Sequence, residues 1–217
     1  MHPVAAVVIA YLLGSIPFAY LAGRARGVDL RQHGSGNLGA TNAVRVLGIG
    51  TGVVVYVLDT LKGFLPVFLL VPLLVATRLD LWAIAIGVAA IAGHVRPVYL
   101  GFQKGGKGVA TAGGVFLALA PLATAVGLSI WLLTFLPSGY VSLASIVTAA
   151  LFPFAVLATG TPARSALFAV AVIVAVFVVW THRANITRLR RGEEHRFRRR
   201  KRGAGEAPAV PAARSGH

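Results

Sequence analysis

The sequence predicts an all-α integral membrane protein with about seven transmembrane helices, and two observations support this prediction. Of the 217 residues, 57% are hydrophobic and only 12% are charged, whereas soluble domains carry about 25% charged residues. The apolar residues fall in long stretches that polar, glycine-rich loops separate. The chain has no cysteine, which excludes disulfides, thiolate metal sites and a thioester on the protein.

Six apolar stretches provide the predicted membrane helices. The first is interpreted as a transmembrane helix rather than a removed signal peptide, because no small-residue cleavage site and soluble domain follow it. The stretches cover residues 3–23, 49–76, 79–95, 109–136, 140–159 and 165–182.

The distribution of charge predicts the orientation of these helices. The chain has 21 Lys and Arg against 6 Asp and Glu, a net charge of +15. The basic residues concentrate in loop 24–48, in loop 96–108 and in segment 183–202. Because Lys and Arg favour the cytoplasmic side of a membrane, these three segments and the C-terminus are predicted to be cytoplasmic. The remaining connections and the N-terminus are predicted to lie outside.

This orientation requires an even number of crossings between loop 96–108 and the C-terminal segment, but the hydropathy shows three stretches there. Pro121 lies inside the longest of them, residues 109–136, and proline breaks or kinks a helix because it lacks a backbone donor. Two short helices, over about 109–119 and 122–136, would restore the parity and give seven helices. A single kinked helix over 109–136 is the alternative that hydropathy leaves open.

The predicted domain organisation is one membrane-embedded domain, residues 1–195, followed by a basic, disordered cytoplasmic tail, residues 196–217. The tail opens with RFRRRKR and continues with many Ala, Pro and Gly residues, a composition that cannot bury a core. Its basic run predicts contact with anionic lipid headgroups. Nucleic acid is not an expected partner of a segment held against a bilayer.

Two charged residues, Asp59 and Lys62, lie inside the second apolar stretch. A spacing of three places them on one helix face, and ionisable groups at membrane depth are costly and usually paired. A structural ion pair that aligns helices is the favoured interpretation, and a direct role in a site is the alternative.

The glycine loop, residues 101–108, reads GFQKGGKG and comes within one residue of a nucleotide-binding P-loop. Gly108 stands where a P-loop has its magnesium-binding hydroxyl, and the loop joins two membrane helices, so nucleotide hydrolysis is excluded. Glycine N–H groups, a following helix N-terminus and lysine charges still suit a phosphate. A flexible basic connector is the alternative. The candidate residues are Lys104, Gly105, Gly106, Lys107 and Gly108.

The first loop, residues 34–45, reads GSGNLGATNAVR and has similar chemistry with more polar side chains. Arg45 can bind a phosphate through a bidentate guanidinium, and Ser35 stands out because it lies near that arginine and several amides. The candidate residues are Ser35, Asn37, Thr41, Asn42 and Arg45.

The third polar segment contains His182, Asn185 and Arg188. Their spacing of three places them on one face if the last helix continues. His182 lies where that helix leaves the membrane and could act as an acid or base near pH 7, although a histidine at a helix end is more often a partner of the helix dipole.

Together the three segments resemble the bacterial acyl-phosphate:glycerol-3-phosphate acyltransferases, the PlsY family. The resemblance rests on three ordered motifs, SGNLGATNAVRVLG, GHVRPVYLGFQKGGKGVATAGG and HRANITRLRRGEE, and covers nearly all of residues 10–195. It implies transfer of an acyl group from a fatty acyl phosphate to the 1-hydroxyl of sn-glycerol 3-phosphate. The products would be lysophosphatidic acid and inorganic phosphate, in the first acylation of bacterial phospholipid synthesis.

The resemblance also implies roles for individual residues. Ser35, Arg45, His182 and Asn185 match catalytic positions, and Gly105, Gly106, Lys107 and Gly108 match the phosphate-binding loop beside Lys104. Ser142 is a further site candidate, because the predicted topology brings it to the same membrane face, and Glu194 matches an acid with a structural role. The expected location is the bacterial cytoplasmic membrane, with the active site at the cytoplasmic face. No cofactor or metal is expected, so activity should survive a chelator, and a monomer is expected.

Two departures from the family pattern stand out. Arg96 occupies a position that is usually aromatic, and Gln103 is an apparent one-residue insertion before Lys104. The catalytic base is left open between His182 and a phosphate oxygen of a substrate, with the second favoured. Competing functions are an anion carrier, which would place its site near the midplane, and a lipid-binding scaffold, which would not need two phosphate loops.

Overall fold

The computed structural model describes residues 1–197, and these form ten α-helices and no strand. The prediction of an all-α protein is therefore confirmed for this part of the chain. The basic run and the rest of the predicted tail beyond Phe197 lie outside the described residues. The helices are α1 (Pro3–Gly14), α2 (Phe18–Arg24), α3 (Ala40–Leu47), α4 (Ile49–Leu70), α5 (Leu79–Val95), α6 (Val109–Leu119), α7 (Pro121–Ser138), α8 (Val141–Ala158), α9 (Ala166–Thr181) and α10 (Arg183–Arg190).

Five helical segments are long and apolar enough to cross a membrane: Pro3–Arg24, Ile49–Leu73, Leu79–Leu100, Pro121–Ser138 and Val141–Ala158. A sixth is the pair of α9 and α10, which bends by 54°. Large apolar side chains on the outside of the bundle stay exposed, as expected of helices that face lipid rather than water. They include Phe68, Leu133, Leu136, Ile173 and Val176.

The first apolar stretch is broken, which differs from the single helix predicted over residues 3–23. α1 ends at Gly14 and α2 begins at Phe18, because Pro17 has no N–H with which to continue the helix. The break removes the carbonyl of Ile16 from the helical hydrogen-bond pattern, and this carbonyl accepts from the Lys62 ammonium at 2.7 Å and from the Phe18 N–H at 3.1 Å. A free backbone carbonyl at membrane depth needs such a partner.

The stretch over residues 109–136 forms two helices, which decides between the two alternatives left open by hydropathy. α6 ends at Leu119, Ala120 has a non-helical backbone, and Pro121 is the first residue of α7, a position where its missing N–H costs nothing. With 11 residues, α6 is roughly 16 Å long. It is therefore about half as long as the bilayer core is thick.

α6 is held by close packing against α4. Glycines allow this approach on both helices: a side-chain carbon at Gly63 would overlap the carbonyl of Thr111, and one at Gly114 would overlap that of Thr60. Close backbone contact through small residues is the usual way in which helices associate in membranes. The position of α6 matters for the site because the glycine loop leads directly into it.

The polar loops gather at one end of the bundle. Asn37 of the first loop donates to the Gly105 carbonyl, and Phe197 donates its N–H to Gly139 in the α7–α8 turn at 2.8 Å. At the opposite end, Met1 donates to the Leu73 carbonyl at 2.6 Å.

Candidate active site

The glycine loop folds back on the end of α5. The N–H of Gly105 donates to the Val95 carbonyl at 2.9 Å, and the N–H of Gly106 donates to the His94 carbonyl at 3.2 Å. The expectation that these two glycines offer free N–H groups to a phosphate is therefore wrong for this conformation. Gly108 has a positive φ of 85° and precedes α6, so the free helix N-terminus comes directly after Lys107.

The first loop is organised around Asn42, which is 2% exposed. Its Oδ1 accepts from the Ser35 N–H at 2.8 Å, and its Nδ2 donates to the carbonyls of Leu30 and His33 at 3.2 and 3.0 Å. The Asn42 amide therefore holds the loop and leaves the exposed Ser35 at its surface.

Helix α3, which hydropathy did not predict, carries two further candidates. Thr41 lies in its first turn and is half-buried, and Arg45 lies in its last turn. The Nε of Arg45 is buried and makes no hydrogen bond to any described group. A buried guanidinium N–H without an acceptor is costly, so Arg45 is suited to receive an anion.

The second and third polar segments meet through a chain of hydrogen bonds. The Lys107 ammonium donates to Asn185 Oδ1, and Asn185 Nδ2 donates to Glu194 Oε1 at 2.7 Å. Glu194 Oε2 accepts from Arg188 Nε at 2.7 Å. Asn185 and Arg188 thus lie on one face of α10, as their spacing predicted. Glu194 is 5% exposed in its side chain and holds both.

His182 lies at the bend between α9 and α10 and is 4% exposed. Its Nδ1 is 2.8 Å from the Val178 carbonyl. Because a carbonyl can only accept, Nδ1 carries the proton, and Nε2 of the neutral ring is left with a lone pair. The ring is thereby oriented with Nε2 available as an acceptor.

Ser142 lies in the first turn of α8 and is buried at the same end of the bundle. Its hydroxyl is beside Glu194, yet it makes no hydrogen bond with any described residue. This placement agrees with the topology that made Ser142 a candidate.

The electrostatics of the site are dominated by cations around one carboxylate. Burial lowers the pKa of the Lys107 ammonium to about 8. The charge of Glu194 opposes this shift, and three neighbouring cations add to it: Arg188, Lys104 and Arg45. Burial raises the pKa of Glu194, but hydrogen bonds from Asn185 and Arg188 outweigh burial and leave its pKa below the usual value. Glu194 is therefore ionised at neutral pH.

The two residues that depart from the expected motif, Gln103 and Arg96, both make hydrogen bonds that involve the glycine loop. Gln103 Oε1 accepts from an Arg31 Nη at 3.1 Å, which links the glycine loop to the segment before the first loop. An Arg96 Nη donates to the Phe102 carbonyl at 3.4 Å, where Phe102 has a positive φ of 59°. Gln103 thus follows a left-handed Phe102 and has a hydrogen-bond partner outside its own loop.

Two residues at this end of the bundle, Arg188 and His94, were not predicted as site residues from the sequence. Arg188 was placed on the correct helix face but not in the site, although its guanidinium is next to Glu194. His94 was missed because it lies inside an apolar stretch, and only the fold brings its ring against Gly106. Within residues 1–197, no group of three or more His, Asp or Glu side chains could hold a metal ion.

The fold and the site together define a class of multi-pass membrane protein whose polar, basic loops come together at one end of the bundle. Comparison with known proteins identifies the family. A family model described as glycerol-3-phosphate acyltransferase matches residues 4–192. The chain therefore belongs to the glycerol-3-phosphate acyltransferase family, the PlsY family, whose members are integral membrane enzymes of phospholipid biosynthesis.

The similarity to individual relatives extends over almost the whole chain. A glycerol-3-phosphate acyltransferase of Geotalea daltonii is 47% identical, with 89% of this chain and 96% of the relative covered. One of Aquifex aeolicus is 46% identical, with 88% and 97% covered. The crystal structure of PlsY (YgiH) in its glycerol 3-phosphate form is 42% identical with a TM-score of 0.82, covering 90% of this chain and 95% of that one. Its lysophosphatidic acid form has a TM-score of 0.79.

Proposed function

We propose that this glycerol-3-phosphate acyltransferase uses a fatty acyl phosphate as its donor and acylates the 1-hydroxyl of sn-glycerol 3-phosphate. The observation that supports this most strongly is the concentration of Arg45, Lys104, Lys107 and Arg188 around the single carboxylate of Glu194. Such an excess of positive charge suits two phosphates, one on each substrate, whose mutual repulsion must be offset. The products are lysophosphatidic acid and inorganic phosphate.

The proposed reaction needs no nucleophile on the protein, because an acyl phosphate is already an activated mixed anhydride. The substrate hydroxyl oxygen forms a bond to the acyl carbon, the bond from that carbon to the phosphate oxygen breaks, and the departing phosphate takes the bond's electron pair. The hydroxyl proton ends on the released phosphate, so atoms and charge balance. Fixed positioning of the hydroxyl against the carbonyl supplies much of the rate, and cations stabilise the developing charge.

The proposed roles follow the loop contacts. Ser35, Asn37, Thr41 and Arg45 serve glycerol 3-phosphate, with Asn42 holding their loop. Lys104, Lys107 and the N–H groups from Gly108 onward serve the acyl phosphate and the released phosphate, supported by Gly105 and Gly106. Asn185 and Ser142 contact substrate beside Lys107, and Glu194 has the structural role of holding Asn185 and Arg188.

We propose that a phosphate oxygen of a substrate accepts the hydroxyl proton, and that His182 Nε2 orients the hydroxyl. His182→Ala should then lower kcat yet leave measurable activity across pH 6 to 9, with the KM for glycerol 3-phosphate nearly unchanged. Initial rates of the variant and the unaltered protein over that range check this. Complete loss at every pH, with glycerol 3-phosphate binding intact, would instead make His182 the base.

The proposed placement in the cell is the bacterial cytoplasmic membrane, with seven crossings, the N-terminus outside and the C-terminus cytoplasmic. The positive charge of the three loop segments supports it, and it puts the active site at the cytoplasmic face. Residues 1–195 act as one domain and as a monomer, and the basic tail contacts anionic headgroups.

The donor is tested with purified protein in detergent, sn-glycerol 3-phosphate and either palmitoyl phosphate or palmitoyl-CoA. Lysophosphatidic acid should form with palmitoyl phosphate, with release of one phosphate per acyl group transferred, and palmitoyl-CoA should give none. A Lys107→Ala variant is the control for background acylation. Product with palmitoyl-CoA and none with palmitoyl phosphate would overturn the proposed donor.

A further inference from the structure

A buried cluster of ionisable side chains lies against the glycine loop, where the His94 ring meets Gly106. Asp59 and Lys62 come from α4 and His94 from α5, and each is at least 94% buried. Asp59 Oδ1 is 2.8 Å from the Lys62 ammonium and 3.6 Å from His94 Nδ1. Burying charge inside a membrane bundle is costly, so this cluster needs a reason.

The two partners of Asp59 serve different purposes. Lys62 also donates to the Ile16 carbonyl at 2.7 Å, so its ammonium repairs the break between α1 and α2. That contact explains why Lys62 is buried here and why a carboxylate, Asp59, is needed to neutralise its charge. It does not account for His94, which approaches the same Asp59 oxygen from α5.

His94 touches the glycine loop through both its ring and its backbone. The ring edge with Nε2 lies so close to Gly106 that a methyl group on that residue would overlap it, and the His94 carbonyl accepts the Gly106 N–H at 3.2 Å. A side-chain carbon at Gly105 would likewise overlap the His94 carbonyl. His94 therefore sets the path of the chain immediately before Lys107.

We propose that Asp59 and His94 form a positioning pair for Lys107: Asp59 fixes the imidazole, and the imidazole fixes Gly106 and hence the ammonium beside Asn185. This inference rests on the proposed role of Lys107 in binding phosphate. His94 and Asp59 lie behind the loop, so they act through Lys107. Side chains of this kind hold a functional group within a fraction of an ångström of its working position.

The test is a double-mutant cycle between His94→Phe and Lys107→Ala. Phenylalanine keeps a ring against Gly106 but lacks the nitrogen that faces Asp59, and Asp59 keeps Lys62 as its partner. His94→Phe alone should lower kcat/KM about tenfold to hundredfold, the usual cost of a small misplacement. In the Lys107→Ala background, the same change should cost less than about twofold, because non-additivity is expected only of groups that act together.

The matched control is Thr148→Val on α8, which removes a buried hydroxyl that has no hydrogen-bond partner among residues 1–197. It should leave kcat/KM unchanged in both backgrounds, and its thermal unfolding midpoint should match that of His94→Phe within a few degrees. Losses that simply multiply would show that His94 acts through general stability and would overturn the proposal, as would no loss at all.

A second measurement decides the question if Lys107→Ala has no measurable activity. Gly106→Ala places a methyl group against the imidazole, and His94→Ala removes that imidazole. The double variant should therefore have at least about threefold more activity than Gly106→Ala alone. Equal or lower activity would contradict the proposal that the His94 ring positions Gly106.

Asp59 is tested by Asp59→Asn with Lys62→Gln, which removes both buried charges together, since Asp59→Asn alone would leave Lys62 unpaired. This double variant should lower kcat/KM as much as His94→Phe does. Combining it with His94→Phe should cause no further loss. All rates are scored with whichever acyl donor the unaltered protein uses, so a wrong proposed donor and a wrong positioning pair give distinguishable results.

Discussion

Lys107 is the residue whose surroundings set the clearest pH limit on the site. Its ammonium is buried beside Asn185, and burial lowers its pKa to about 8. A lysine is charged below its pKa and neutral above it, so the positive charge is present at neutral pH and is lost as the pH rises through about 8. A bound phosphate favours the charged form of Lys107. The loss of charge near pH 8 is therefore expected only in the enzyme without substrate.

The expected result is an alkaline fall in kcat/KM with a midpoint near pH 8, approaching about tenfold per pH unit. Saturating substrate should move the fall in kcat to higher pH, because bound phosphate keeps Lys107 protonated. Initial rates between pH 6.5 and 9.5 at low and at saturating acyl donor provide the measurement.

Lys107→Arg separates this charge from other titrating groups. Its guanidinium stays charged over the whole range, although its shape costs some activity. The variant should therefore be less active at pH 7 but lack the fall near pH 8. An unchanged alkaline limb in the variant would assign the titration to another group.

Helix α6 is the element on which the glycine loop depends. It follows Lys107 and Gly108 directly, and it is positioned by backbone contact with α4 through Gly63 and Gly114. Adding volume at such a contact forces the backbones apart, which costs about 1–3 kcal/mol. A displaced α6 carries Lys107 with it, so packing and activity are coupled here.

Two adjacent glycines of α6 provide a matched pair of variants. A methyl group at Gly114 would overlap the Thr60 carbonyl, whereas at Gly113 it would meet nothing within 4 Å. Gly114→Ala should lower the thermal midpoint and reduce kcat/KM at least about tenfold. Gly113→Ala should retain the thermal midpoint and kcat/KM of the unaltered protein, since alanine favours a helix more than glycine.

Equal behaviour of the two variants would contradict close α4–α6 packing as the support of the loop. The measurements are thermal unfolding in detergent and steady-state rates on the same preparations.

The whole molecule separates its two ends by charge. The described parts of the three basic segments lie together at one end, where Asn37 meets Gly105 and Lys107 meets Asn185. The number of crossings stays a prediction, because five described helical segments, or six with the bent pair of α9 and α10, are long and apolar enough to cross a membrane. The absolute orientation in the membrane stays a prediction from the positive-inside rule.

The absence of native cysteine makes that orientation testable with single-cysteine variants. Arg78→Cys and Arg164→Cys lie between helices at the end opposite the site, and Gln32→Cys lies before the first loop. In intact bacterial cells without an outer membrane, an impermeant maleimide should label the first two. Gln32→Cys should react only after the cytoplasmic membrane is permeabilised.

Labelling of Gln32→Cys in intact cells, with protection of the other two, would invert the proposed topology. Each variant must retain acyltransferase activity to be informative, and the unaltered protein is the control for labelling of other groups.

Composition and charge were sufficient to predict the helical membrane class, because it depends on local properties of the chain, and Pro121 indicated a break or a kink without deciding between them. The spacing of Asn185 and Arg188 likewise predicted one face of α10, whereas His182 lies at the bend before that helix because α9 does not continue straight into it. Pro17 carried the same signal as Pro121, but a hydropathy average over residues 3–23 hid the break that it causes. α3 was missed because it lies inside a polar loop.

Only the tertiary structure decided which polar groups are free. Asn42, Gly105 and Gly106 looked like ligands for phosphate, but the way each loop folds back on the chain before it occupies the Asn42 amide and the N–H groups of both glycines. His94 looked like an isolated histidine in an apolar helix, and the fold placed it between Asp59 and Gly106. Hydrogen bonds between segments depend on how helices pack, and that packing is not a local property of the sequence.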